Sequence, residues 1–121
     1  MVNYFWDSYA VIELLDGSRS YAKFINEIPV ITIFNLAEIY WSAIHEYDEV
    51  SANEIFEKYK ECVVEIDDET LKEAIKFRKQ NKKKNLSYTD CIGYIYTVKN
   101  NMKFLTGDKE FEGMKDVEFV K

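Results

Sequence analysis

Five short runs of β-branched and aromatic residues punctuate the chain: VNYFW (2 to 6), PVITI (29 to 33), CVVEI (62 to 66), MKFLT (102 to 106) and DVEFV (116 to 120). Their composition predicts strands. Helical periodicity fills most of the gaps. Leu36, Tyr40, Ala43, Ile44 and Tyr47 fit one stripe, Ile55, Phe56 and Tyr59 a second, and Leu71, Ala74 and Ile75 a third. Strands separated by helices imply right-handed crossovers and a parallel sheet covered on both faces. The expected fold is therefore α/β, three-layered α/β/α, with a central, mostly parallel sheet of about five strands. In such a sheet every strand's C-terminal end and every following helix N-terminus emerge along one edge, where sites collect.

The 121 residues are enough for one domain, 1 to 121, around one core; 47% are hydrophobic and 16% aromatic. Only four glycines and one proline occur, with no linker, repeat or low-complexity tract. No apolar run approaches the ~20 residues of a membrane span, and the start lacks the pattern of a secretory signal. A cytoplasmic protein with no membrane partner is expected. Cys62, on an expected strand, and Cys91, on an expected helix, have no metal-like or redox-like spacing and read as packing residues. His45 is the sole histidine, so histidine-based zinc or triad chemistry has little support.

The formal net charge is −6, which argues weakly against nucleic acid, but its distribution is uneven. From Glu46 to Leu71 ten acids face two lysines, net −8; from Lys72 to Lys84 seven bases face Glu73, net +6. Lys82, Lys83 and Lys84 lead directly into the segment LSYTDCIGYIY and are candidate phosphate contacts; the alternative is a solvated helix face.

Four acids fall on the expected strand-end edge. Asp7 ends the first strand, Glu38 lies in the expected first turn of the helix after PVITI, Asp90 lies in the first turn of the helix starting near Ser87, and Asp108 follows MKFLT. Each has an ordinary explanation alone. Asn35 and Ser87 are good N-caps with an acid three residues later, Asp7 could cap the helix after it, and Gly107-Asp108 could be a turn. Capping does not explain four acids on one edge, two of them among apolar residues where an unpaired charge is expensive. Two carboxylates ~5 Å apart at an effective dielectric near 20 repel by roughly 3 kcal/mol, so four ionise together only with a cation among them. All-oxygen ligands select a hard ion, Mg²⁺ or Mn²⁺. Such ions polarise phosphoryl oxygens and make bound hydroxide, the equipment of phosphodiester hydrolysis.

FWDSYAVIELLDG, IFNLAEIYWSAI and LSYTDCIGYIYTVKNNMKFLTGDKEF, taken in order, resemble the PIN domain, and in particular the VapC-type toxins of prokaryotic toxin–antitoxin pairs. No single motif is specific; the ordered set of four acids is. The resemblance implies that Asp7, Glu38, Asp90 and Asp108 are both catalytic and metal-binding, with Ser8 and Thr106 supporting them. It implies an Mg²⁺- or Mn²⁺-dependent endoribonuclease acting on RNA, held by a cognate antitoxin and forming a homodimer. Tyr94, Tyr96 and Thr97 depart from the alanine-rich helix usual after the third acid. Glu13, Asp16, Glu110, Glu112 and Asp116 fall outside the expected site, Glu112 being near enough to Asp108 for an outer position. Two alternatives stand beside this reading: a receiver-like signalling domain, disfavoured because Asp7 is alone at its strand end and Asp67-Asp68 opens a helix, and a catalytically silent PIN-like binding protein. The helix from Asn35 to Tyr47 is apolar on more than one face, adding Ala37, Ile39 and Trp41, which fits either a surface for another chain or a central helix covered by its neighbours around Tyr21 and Phe24; the resemblance favours the interface.

Overall fold

The computed structural model describes residues 2 to 121. Three strands, β1 (Tyr4–Trp6), β2 (Lys103–Thr106) and β3 (Val117–Phe119), form a parallel sheet in the order β1-β2-β3. Two further segments of the sequence expected as strands reach the sheet only through single parallel bridges, Phe5 with Val30 and Ile31 with Val63. The expected five strands are thus three, extended beyond β1 by two one-residue contacts. The reason is local. Thr32 accepts a hydrogen bond from the Asn35 N–H, so the chain turns into a helix directly after Ile31, and the segment beyond it has no longer strand to pair with.

Helices α1 (Ser8–Leu15), α2 (Ile33–Glu46), α3 (Glu49–Lys60), α4 (Asp68–Gln80) and α5 (Tyr88–Lys99) complete the fold, with 3-10 turns at Arg19–Phe24 and Lys109–Phe111. Alternation along the strands decides which helix lies where. Trp6 and Leu105 point to one face, packing with Ala10 and Val11 of α1, Leu36 and Ile39 of α2 and Tyr59 of α3. Phe5 and Phe104 point to the other, against Ala74 of α4 and Cys91, Ile92 and Tyr94 of α5. The layers are α/β/α, each fully buried large side chain contributing about 1.5–3 kcal/mol. Gly93 lets α5 lie close on the sheet: a Cβ there would stand 2.6 Å from the Phe5 ring.

The expected helical stripes are only partly the buried ones. On α2 the core side is Asn35, Leu36, Ile39 and Ala43, whereas Ile44 and Tyr47 are exposed. On α4 Ala74 is buried but Leu71 and Ile75 are exposed. Cys62 lies in the turn before the Val63 bridge and not on a strand, and both cysteines are free. Tyr94 and Thr97 face inward, Tyr94 donating to the Lys115 carbonyl and Thr97 to that of Gly93, so these departures fill the core. No helix among the described residues is long and apolar enough to cross a membrane.

Across the sheet the pairing segments run 63, 30 to 31, β1, β2, β3. The chain therefore winds outward from β1 on one side and resumes on the other at β2. In open parallel sheets such a reversal opens a crevice at the carboxyl ends of the two strands. Asp7 follows β1 and Asp108 follows β2, two residues beyond Thr106.

Candidate metal centre

Asp7 is buried at the end of β1, its N–H donating to the Leu105 carbonyl at 3.0 Å. Although it occupies the N-cap position of α1, its carboxylate makes no capping bond. Instead its Oδ2 accepts from the buried Thr106 hydroxyl at 2.6 Å. The same hydroxyl oxygen accepts from the Asp108 N–H at 3.0 Å, so Thr106 fixes one acid by its side chain and the other by its backbone. Asp108 Oδ1 takes the Glu110 N–H at 3.0 Å, the ordinary turn role.

A second chain of bonds sets Glu38. Thr32 and Asn35 form a reciprocal capping box at the start of α2, Asn35 Oδ1 accepting from the Thr32 N–H at 2.9 Å and from its hydroxyl at 2.8 Å. Asn35 Nδ2 donates to Ser8 Oγ at 3.0 Å, and Ser8 Oγ donates to Glu38 Oε1 at 2.5 Å. The helix thus starts one turn earlier than the sequence pattern indicates: Thr32 is the cap, Asn35 its partner, and Glu38 sits beyond the first turn. Asp90 is where the pattern puts it, in a capping box with Ser87: its Oδ2 accepts from the Ser87 N–H at 2.9 Å while Ser87 Oγ accepts from the Asp90 N–H at 3.0 Å.

The electrostatics tie the four acids into one locale. Asp7 is pushed up from 3.8 to about 7, first by burial, then by Asp90, with Glu38 and Asp108 adding and the Thr106 bond opposing. Asp90 is also raised, by burial first and by Asp108 and Glu38, against the Ser87 bonds. Among the described residues the ion pairs are Lys99 with Glu69 and Glu73, and Lys103 with Asp116. None of the four acids has a cationic partner there. Nor do any three Asp, Glu, His or Cys side chains among the described residues stand together as a ready-made metal cage. The acids feel one another's charge without closing on a common point.

Each acid commits one oxygen to these bonds and keeps the other: Oδ1 of Asp7, Oε2 of Glu38, Oδ1 of Asp90 and Oδ2 of Asp108 accept nothing among the described hydrogen bonds. The only fully buried side-chain nitrogen or oxygen left without a partner among the described residues is Trp6 Nε1. None of the spare oxygens is among the fully buried unpartnered atoms. Four such oxygens without nitrogen or sulfur suit a hard divalent ion.

A family model described as the PIN domain matches residues 4–117. The chain belongs to the PIN domain family. No curated protein matches its sequence. Among solved structures, a chain of a toxin–antitoxin complex from Klebsiella pneumoniae is similar in fold, with a TM-score of 0.76, 17% identity and coverage of 96% of each chain. A receiver-like domain is thereby set aside in favour of the PIN fold.

In this PIN domain the sequence pattern locates Asp7, Ser8, Asp90, Thr106 and Asp108 on the elements expected of them. It misses Asn35 as the residue that orients Ser8 and hence Glu38. The signal is present in retrospect: Thr32 and Asn35 have capping-box spacing, and Asn35 falls on the buried stripe of α2. Lys82 and Lys84 line a groove of about 300 Å³ together with Arg78, Lys79 and Tyr88; Lys83 does not. His45 is exposed, its Nδ1 within 2.7 Å of the Trp41 carbonyl oxygen, and takes no part in the site. Glu110 bonds the Asn85 N–H and so braces the loop before α5.

Proposed function

We propose that this PIN domain is a divalent-metal-dependent endoribonuclease, the toxin component of a toxin–antitoxin pair. The observation that supports the proposal is the mutual charge repulsion of four carboxylates, one of them buried and raised to about 7, with no ion-paired cation among the described residues to balance them. Asp7, Glu38, Asp90 and Asp108 are the residues that would hold Mg²⁺ or Mn²⁺. When bound, such an ion supplies Lewis-acid polarisation of a phosphodiester and a more acidic water. The chain's own contribution is placement. Thr106 keeps Asp7 and the Asp108 backbone in one register, and Ser8, held by Asn35, ties the Glu38 carboxylate to the start of α1. Because each acid spends only one oxygen on the protein, the other is available without breaking the scaffold.

RNA cleavage with and without EDTA, in Mg²⁺ and in Mn²⁺, tests the activity. Loss of cleavage on chelation and in Asp7→Asn is expected; equal cleavage by that variant would remove the site. A family member that binds metal and RNA but cuts nothing under any of these conditions would be the silent binding protein.

A partner surface is supported by α2. Phe34, Ala37, Trp41 and Ile44 are all exposed and recur at spacings of three and four, a second apolar stripe opposite the buried one. Trp41 is 66% exposed. This stripe suits self-association, and the apolar groove of about 380 Å³ lined by Ile33, Phe34, Val64, Ile66 and Leu71 suits a short amphipathic antitoxin segment. Such a segment would inhibit by placing a basic residue against Asp7 and Asp108. Light scattering decides the first point: a monomer near 14.4 kDa at micromolar concentration would refute the homodimer.

A further inference from the structure

The C-terminal half of α4 and the loop after it carry Arg78, Lys79, Lys82 and Lys84 onto one open groove of about 300 Å³, lined also by Ile75, Leu86 and Tyr88. None of these four cations is ion-paired among the described residues. Two are nevertheless held in place. Arg78 Nε donates to the Leu86 carbonyl at 3.0 Å, and its guanidinium lies 4.3 Å from the centre of the Tyr88 ring. Lys84 Nζ donates to the Glu110 carbonyl at 2.9 Å, and the Glu110 carboxylate, the nearby acid, is engaged by the Asn85 N–H. Tyr88 is 58% exposed, so its ring is available on the side that Arg78 leaves open.

A solvated helix face does not need this construction. Lysines on such a face are free-ranging and unbraced, whereas here a fixed guanidinium, a tethered ammonium and an exposed aromatic ring surround one concavity. We infer that this groove is a subsite for a single-stranded nucleic-acid segment, its phosphates held by Arg78, Lys79, Lys82 and Lys84 and one base stacked on Tyr88. Unpaired bases have a free π-face and stack on aromatic and guanidinium planes, while a positive groove follows the backbone. A duplex offers the phosphates without the exposed base.

The position of the groove relative to the acids gives it a use. Leu86 and Tyr88 flank Ser87, whose N–H holds the Asp90 carboxylate. The groove therefore ends on the residues either side of the one that anchors Asp90, and its locally cationic surface offsets an otherwise acidic chain of net charge −6. This inference rests on the nuclease reading for the identity of the polymer as RNA, but the groove's binding is separable from cleavage.

The test is fluorescence anisotropy of the full chain in EDTA with a labelled, unstructured oligoribonucleotide of about ten nucleotides, within the usual span of a single-strand site. Wild type is expected to bind the single strand more tightly than a duplex of the same length. Lys79→Ala with Lys82→Ala should flatten the slope of log K against log salt by about 1.4, at roughly 0.7 for each phosphate no longer neutralised. Tyr88→Ala should weaken binding about tenfold, and Tyr88→Phe, which keeps the ring, should bind as wild type. Unchanged affinity and salt slope in both alanine variants, or a preference for duplex, would overturn the subsite. So would tight binding of a polyglutamate peptide by a chain that ignores the oligonucleotide, since the groove would then be a dock for an acidic protein. Single-strand binding with these mutational losses, in a chain that cuts no RNA in Mg²⁺ or Mn²⁺, would leave the subsite standing and remove the nuclease reading alone.

Discussion

Helices α2 and α5 begin with the same device and use it for different ends. In both a hydroxyl residue caps the helix and the third residue returns a hydrogen bond to the cap's N–H. In α2 the pair is Thr32 and Asn35, 0% and 1% exposed; in α5 it is Ser87 and Asp90, with Ser87 on the surface. Burial dictates the difference. A carboxylate at position 35 would be a charge inside the protein with no cation near, which costs several kcal/mol or forces neutralisation. The amide avoids that, and it can donate as well as accept, so it passes orientation on to Ser8 and Glu38. Asp90 can only accept when ionised. It spends one oxygen on the cap and leaves the other for the site. One box is therefore a positioning device, the other a candidate ligand.

The sharpest way to break this contrast is Asp90→Asn, which makes the box of α5 chemically like that of α2. The amide oxygen can accept from the Ser87 N–H as Asn35 accepts from Thr32, so metal-free stability should change by less than about 1 kcal/mol. Because burial, Asp108 and Glu38 all disfavour the charged form of Asp90, a small gain is the expected sign. Metal-dependent RNA cleavage should fall about 100-fold or more, the scale of losing a charged group that acts directly in a site. Near wild-type cleavage would mean that both boxes are only caps.

Asp7 gives the next effect, read in stability beside the loss of cleavage already expected of Asp7→Asn. Its native value of about 7 lies above the ~3.9 of an unfolded aspartate. Between those values the native state holds a proton that the unfolded state has released, so this contribution is full below about pH 4 and is lost as pH rises through about 7. The shift corresponds to a few kcal/mol at most. Urea unfolding in EDTA at pH 5 and pH 8 should show wild type losing more stability than Asp7→Asn over that interval. Mg²⁺ or Mn²⁺ should restore part of the loss at pH 8 in wild type, because ion binding stabilises only the folded form. Parallel pH profiles for the two proteins would contradict the charge repulsion on which the proposed metal centre rests.

These expectations show where the sequence was legible. Asp7 and Asp108 follow strands, and Ser87 and Asp90 form a local motif, so three of the four acids could be placed by short-range rules. Glu38 was harder because two residues near the start of α2, Thr32 and Asn35, are both good caps, and only burial of the Thr32–Asn35 pair decides between them. The same ambiguity shortened the sheet. PVITI has strand composition, but Thr32 caps α2 and Ile33 begins it, a choice made by the local Thr32–Asn35 box and not by the composition of the run. The two apolar stripes of α2 were likewise indistinguishable by period: Leu36, Ile39 and Ala43 face the sheet, while Phe34, Ala37, Trp41 and Ile44 do not. The basic groove was half legible, its lysines from charge and its Tyr88 from nothing in the linear pattern.

Asn35→Ala tests the buried box itself. It strands the Thr32 N–H and removes the donor to Ser8, and an unsatisfied buried polar group costs about 1–3 kcal/mol. A loss near 2 kcal/mol in urea unfolding is expected. Glu38 then loses its orientation through Ser8, and cleavage should drop about 10-fold or more, the range seen when a residue behind a metal ligand is removed. A stability loss with full activity would show that the Asn35–Ser8–Glu38 chain serves folding alone.

Ser87→Ala is the mildest of these perturbations. It removes the hydroxyl that accepts from the Asp90 N–H, a cap at the surface, and alanine in place of serine at such a position costs about 1 kcal/mol. Water can reach the freed N–H, so the loss should stay at or below that figure, smaller than the Asn35→Ala loss at the buried box. The bond that positions the Asp90 carboxylate is untouched, because its donor is the backbone N–H of residue 87, which alanine retains. Cleavage should therefore remain within about threefold of wild type at a temperature where both proteins are folded. If Ser87→Ala instead cost as much activity as Asp90→Asn, the hydroxyl itself would be acting in the site, and α5 would share with α2 the positioning role that separates them here.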